Sequence, residues 1–434
     1  MLAAVLQLRL TSSLFLGALD AVTLLGILLL VARNQTVLWR LIAIGATAFG
    51  AGLGYLACWW FGDVRDDFGI ALTPIMRMWV AFAFGGMALA IVAIVQRGAW
   101  HRALGGLMIP IVVLTAAIGF NEDFGYYPTI ASIVVSNPYA HRTFTALPRR
   151  PQSTVPSLAT WRPPAGMPTK GALYSTPIPG TVSNFAARDA VVYLPPAALT
   201  RNPPHLPVIV ALSGQPGSPD QLFVVAHLNA VLDAFAKTHR GLAPIVVAPD
   251  QLGNPWSNPM CLDTAAGGNS ATYITVDVRN WVLAHLRVLP QRRDWAVMGF
   301  SQGATCTSQF IAGNSNEFGA GLAIVSQLVP SAGHLTIAKY FGGSAARYAA
   351  VAPTAVMNRH GRYRDTMAIW VVGRGDQRYG TAGGILQRAA ARQGMNTLLF
   401  VAPSGHDMNT VRFAFANALP VVLTRFGFGP AVRR

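Results

Sequence analysis

Trp295-Ala296-Val297-Met298-Gly299-Phe300-Ser301-Gln302-Gly303-Ala304-Thr305-Cys306-Thr307-Ser308 is the stretch on which the fold of the C-terminal part of the chain turns. It opens as a short apolar run bounded by turn residues, which reads as a buried strand. It ends in small residues suited to a tightly packed helix start. Between them stands Gly-x-Ser-x-Gly. That spacing puts a serine on a strained strand-to-helix turn, and the two glycines remove Cβ atoms that would clash there. The hydroxyl of Ser301 then projects above the sheet, and the helix N-terminus favours negative charge developing beside it.

The same texture continues on both sides. Apolar β-rich runs occur at Asp189–Leu194, Pro207–Leu212, Pro244–Pro249, Asp294–Gly299, Ala320–Gln327, Thr366–Val372 and Thr397–Ala402. Helical patterns follow near 220–237, 272–288, 302–312, 381–393 and 408–422. Alternating strands and helices predict a mostly parallel sheet with helices on both faces over 171–434. In such sheets ligands gather at the carboxyl ends of the strands.

A serine nucleophile needs a base and an acid, expected in the order Ser, acid, His. Asp376 follows the run ending at Val372, and His406 follows the run ending at Ala402. Both therefore stand at strand carboxyl ends in the required order. Asp407 and Asp250 are rival acids. Asp407 adjoins the base in sequence, and Asp250 precedes the serine. An oxyanion hole needs two aligned backbone N–H donors. Gln302 supplies one. The turn Leu212-Ser213-Gly214-Gln215-Pro216-Gly217 offers the other, from Gln215, because Pro216 has no N–H. Asp250, Trp256, Asp263 and Tyr273 fall on or near loops that would rim such a site and are the candidates for substrate contact.

The first 120 residues read differently. Apolar stretches over roughly 12–32, 41–61, 78–95 and 103–120 each approach the ~20 residues needed to span a bilayer. Arg33 and Arg40 follow the first. Arg97, His101 and Arg102 follow the third. The loop after the second is mixed, with Asp63, Arg65, Asp66, Asp67 and Arg77. Positive loops stay cytoplasmic, so the N-terminus and everything after residue 120 are expected outside, with Arg9 alone opposing. Asp20 falls inside the first span, either near the outer interface or in a functional role. Residues 121–170, with Pro128, Pro138, Pro148, Pro151, Pro156, Pro163, Pro164 and Pro168, read as a linker.

Composition agrees with this division. The chain has 434 residues, 52% hydrophobic and only 12% charged, whereas soluble domains carry about 25% charged residues. Net charge is +16, carried almost wholly by Arg, with Lys only at 170, 237 and 339. There is no run of five basic residues and no aromatic–basic stripe. The excess fits an anionic membrane surface better than nucleic acid. No Cys/His spacing suggests a metal site. Cys261 and Cys306 either form one bridge, if this part is exported, or remain two buried thiols.

With these motifs placed, residues 171–425 resemble the esterase-D-like α/β-hydrolases, a group that includes feruloyl and enterochelin esterases and the secreted mycolyltransferases of actinobacteria. Ala271-Thr272-Tyr273-Ile274-Thr275-Val276-Asp277-Val278-Arg279-Asn280-Trp281-Val282 is similar to the mycolyltransferase helix before the nucleophile strand. The multi-span N-terminus looks like that of membrane-anchored actinobacterial esterases. The resemblance implies an acyl-serine mechanism on carboxylic esters with no cofactor, carried by Ser301, Asp376 and His406 with Gln215 and Gln302 as donors. Asp376 stands where the mycolyltransferases have Glu, and Gln302 where theirs is apolar. The expected substrates are acyl or aminoacyl esters of outer-leaflet lipids or of the cell envelope. The alternatives are an acyltransferase using a sugar or lipid hydroxyl, and a non-catalytic membrane scaffold.

Overall fold

The structure is a computed structural model, describing residues 5–6, 8–31, 36–65, 67, 72–96, 98–134, 138–147 and 160–428. Arg33, Asp66, Arg97, Pro148, Pro151 and Pro156 lie outside the described residues. The chain divides into two units, Met1–Val135 and Ser136–Arg434.

The first unit holds four long helices: α1 (Ser13–Val31), α2 (Val37–Cys58), α3 (Pro74–Gln96) and α4 (Ala99–Phe124). All four are long and apolar enough to cross a membrane. The third and fourth begin four residues before the apolar stretches. Polar Arg77, His101 and Arg102 lower the local hydropathy without interrupting the helix, and Arg77 pairs with Asp63 at 2.7 Å. Small residues let the helix backbones approach. A Cβ on Gly50 would lie 2.6 Å from the Phe84 carbonyl oxygen, and one on Gly105 would lie 2.8 Å from that of Ala90. Such contacts take over where lipid removes any hydrophobic drive between helices. The outward faces carry Leu24, Leu25, Leu28, Ile44 and Phe49, all exposed.

The second unit is built on nine strands in the order β1-β2-β3-β5-β4-β8-β9-β10-β11. They are β1 (Ala140–His141), β2 (Ala172–Thr176), β3 (Ala190–Leu194), β4 (Val208–Leu212), β5 (Ile245–Ala248), β8 (Trp295–Phe300), β9 (Ala320–Ile324), β10 (Met367–Gly373) and β11 (Asn396–Ala402), with β6 (Asp263–Thr264) and β7 (Gly268–Asn269) forming a separate hairpin. Only β3 runs against its neighbours. Strands β3, β4, β5, β8 and β9 are wholly buried, which is why they read as continuous apolar runs rather than alternating ones. Helices α5 (Leu228–Thr238), α6 (Arg279–His285), α7 (Gln302–Gly313), α8 (Ala382–Arg392) and α9 (Met408–Asn417) follow strands as the alternation predicts. This is a hydrolase-like α/β fold with a mostly parallel sheet.

Two features depart from the sequence reading. Within 121–170 the chain contributes the end of α4, a short helix at Ile130–Val134 and strand β1, which pairs with β2. Between β9 and β10 three short helices intervene, Thr336–Phe341, Ala345–Ala350 and Pro353–His360. They are too short for a helical period to stand out in the sequence.

Candidate active site

The β8–α7 turn fixes the centre of the site. Ser301 adopts φ 56° and ψ −113°, a left-handed backbone for a non-glycine residue. Such strain costs about 1–3 kcal/mol and persists only where the surroundings enforce it. The surroundings here are backbone. A Cβ on Gly299 would lie 2.3 Å from the Gly303 carbonyl oxygen, and one on Gly303 would lie 2.4 Å from that of Leu212 and 2.5 Å from that of Ser213. None of these three backbone oxygens can yield without moving β4 or the start of α7. Gly303→Ala is therefore expected to lower stability by about 1–3 kcal/mol, read as a fall in the urea midpoint at unchanged slope.

Three loops at the strand carboxyl ends converge on Ser301. His406 Nε2 lies 2.8 Å from Ser301 Oγ, and His406 Nδ1 lies 3.0 Å from Asp376 Oδ2. The parallel pairing of β10 with β11 sets this geometry, because it brings Gly373 level with Ala402. The Gly375 N–H then donates to the Ser404 carbonyl at 3.0 Å, stitching the acid loop to the base loop. Asp376 is buried. Burial alone would push its carboxyl up, but bonds from His406 and from the Tyr379 and Arg378 N–H groups outweigh it and hold the group below the ordinary carboxylate range. His406 is flanked by the rings of Phe300 and Tyr379.

The rival acids have other work. Asp407 caps α9, accepting from the Asn409 and Thr410 N–H groups, and also takes the Gly405 N–H. Asp250 is fully buried and held by Arg188 in a two-pronged ion pair, at 2.8 and 2.7 Å. Its oxygens also accept the Arg188 and Leu252 N–H groups.

Gln215 and Gln302 frame the space beside Ser301. Among the described residues no acceptor engages either backbone N–H, while both side chains are held. A Cβ on Gly214 would lie 3.5 Å from the Ser301 Cβ, so the Gly214–Gln215 turn stands against Ser301. Gln251, which the sequence reading passed over, links the Ser213–Gln215 turn to Gln302. Its Nε2 donates to the Ser213 carbonyl at 2.8 Å and to Gln302 Oε1 at 3.0 Å. Its one legible signal was its place just past the carboxyl end of β5.

Cys261 and Cys306 are joined in a disulfide. The bond fastens the loop before the β6–β7 hairpin to α7, and Gln302 Nε2 donates to Asn258 Oδ1 in that loop at 3.2 Å. Replacing both cysteines with alanine is expected to cost about 2–5 kcal/mol of stability, measured by urea unfolding. It is also expected to lower kcat more than it raises KM, because the bridged segment holds Gln302 in place beside Ser301 through Asn258.

The four proposed substrate contacts separate. Asp250 is committed to Arg188, as above. Tyr273 is fully buried, donates to the Ile178 carbonyl at 3.1 Å and packs on Phe185. Asp263 accepts the Thr272 N–H at 3.0 Å and its hydroxyl at 2.6 Å. Asp250 and Tyr273 are thus fully buried and engaged within the fold, at odds with a place on the rim, whereas Asp263 is bonded to Thr272 and exposed. Trp256 is different. The residue is 78% exposed, and its backbone carbonyl accepts from Gln215 Nε2 at 3.3 Å.

Sheet order, strained elbow and the linked Ser301, His406 and Asp376 define a hydrolase-like α/β domain. No family model matches the chain. A Corynebacterium glutamicum protein, itself described as uncharacterized, is 29% identical over 372 residues, covering 82% of this chain and 84% of its own. Among solved structures, a ferulic acid esterase is 20% identical with a TM-score of 0.49, over 59% of this chain and 99% of its own. An S-formylglutathione hydrolase from Agrobacterium tumefaciens is 17% identical with a TM-score of 0.49, over 60% and 97%. A fluorophosphonate-binding serine hydrolase of Staphylococcus aureus is 15% identical with a TM-score of 0.46, over 58% and 99%.

Proposed function

We propose that this chain is a membrane-anchored serine esterase whose C-terminal unit hydrolyses carboxylic esters outside the cytoplasmic membrane. The observation that carries the reading is the unbroken hydrogen-bond path from Ser301 through His406 to Asp376. His406 Nε2 takes the Ser301 proton as Oγ attacks the ester carbonyl, and the oxyanion rests on the Gln215 and Gln302 N–H groups. His406 returns the proton to the departing alcohol, leaving an acyl-Ser301. Water then enters, gives its proton to His406 and attacks the acyl carbon. The tetrahedral intermediate collapses, Ser301 Oγ leaves with the proton from His406, and the acid is released. Asp376 stays ionised and holds the imidazole.

The substrates fitting this setting are acyl or aminoacyl esters of outer-leaflet lipids or of envelope components. Four apolar helices supply the anchor, and the Arg-rich flanks of the first and third spans support the outward orientation. The full chain in liposomes loaded with envelope lipid extract is expected to release free acid, measured by mass spectrometry. Acid release unchanged by Ser301→Ala would reject the reading. Appearance of the acyl group on an added alcohol in place of free acid would convert it to acyl transfer.

A further inference from the structure

In the N-terminal unit α1, α3 and α4 line a groove of about 320 Å³ that opens on the outer face, where Asp20 and Leu24 are exposed; its volume is within the range of about 300–1,000 Å³ typical of ligand sites. Part of the lining is polar. Asp20 is the eighth residue of α1, and so about 10 Å along its axis. One turn further in, the Thr23 and Thr115 hydroxyls lie 2.7 Å apart and join α1 to α4. Leu24 beside Thr23, Ile27 about two turns along α1 from Asp20, and Phe82 make the rest of the lining apolar. Trp79 forms part of the wall, seated where Gly119 leaves room for its ring.

The Asp20 carboxylate engages no cation and no hydrogen-bond donor among the described residues. A carboxylate in an apolar span is costly unless it is paired, and such residues face cavities where they meet a ligand or ion. The groove therefore joins one carboxyl group, that of Asp20, to an apolar lining. We propose that it binds an alkyl-chain amphipath with a cationic nitrogen head, the head pairing with Asp20 and the chain lying along Leu24, Ile27 and Phe82. Complementary charge at Asp20 selects this occupant over a fatty acid of the same length. The site does not involve Ser301, so it stands or falls apart from the esterase reading.

The test is a titration of the full chain, in non-ionic detergent, with a brominated long-chain alkylamine, following tryptophan fluorescence. Brominated alkyl carboxylate and alcohol of equal length are the controls. Saturable quenching by the amine is expected, about tenfold tighter than by the carboxylate, the effect of a single ion pair. Trp79→Phe should remove the saturable component, Asp20→Asn should abolish the preference for amine, and Ser301→Ala should change nothing. Equal affinity for amine and carboxylate in the unmodified protein overturns the proposal without recourse to any variant. So does an amine preference that survives Asp20→Asn, or quenching that never saturates.

Discussion

Ser301→Ala is expected to lower kcat for ester hydrolysis by about 10⁶-fold, the scale on which a serine nucleophile and its base act as one unit. The size follows from the geometry. His406 Nε2 meets Ser301 Oγ at 2.8 Å, so removing the hydroxyl leaves a base with no proton to take and an oxyanion hole with no attacking atom beneath it. KM should move little, since Ser301 Oγ contributes hardly any ground-state binding. Stability supplies an independent check. Ser301 holds φ 56° against the preference of any residue with a Cβ. Ser301→Gly should therefore be as inactive as the alanine variant yet unfold at higher urea, by the equivalent of about 1 kcal/mol. A glycine variant no more stable than the alanine variant would mean that the elbow stores no strain.

Asp376→Asn is expected to cost about 10⁴-fold in kcat while leaving the fold intact, because an amide in that place favours the wrong imidazole tautomer and cannot offset the imidazolium charge. The buried Asp376 carboxyl also links activity to acid stability. Its folded value lies below its ordinary one, so its contribution to stability is complete above the ordinary carboxylate range. That contribution is lost as pH falls through the folded value. The difference in urea midpoint between the unmodified protein and Asp376→Asn should hold steady near neutrality and shrink below about pH 4. A difference that grows on acidification would contradict the assignment.

Most of the fold was legible because its central strands are buried on both faces, its edge strand β11 is apolar although partly exposed, and its helices follow the strands in order. The runs 189–194, 207–212, 294–299 and 397–402 each contain or overlap a strand of the sheet. Strand β2 escaped notice because it is half-exposed and mixed in character, and β1 because two residues carry no pattern. The positions of Ser301, Asp376 and His406 were readable from chain order and strand ends alone. The substrate rim was not. Asp250 and Tyr273 were read as lying near the rim, but whether a side chain faces a pocket or its own backbone depends on partners far away in sequence. Arg188 lies 62 residues before Asp250, and Ile178 lies 95 before Tyr273. Gln251 was missed for the same reason, since a glutamine past a strand end announces no role until Ser213 and Gln302 are seen on either side of it.

The proposed function stands on Ser301 being a nucleophile activated by His406. Reaction of the folded full chain with a fluorophosphonate probe, followed by peptide mapping, tests it most directly. The account predicts one stoichiometric adduct, on Ser301, lost on unfolding and lost in His406→Ala. Absence of any adduct on Ser301 in the folded protein, or an adduct formed equally fast without His406, would contradict it.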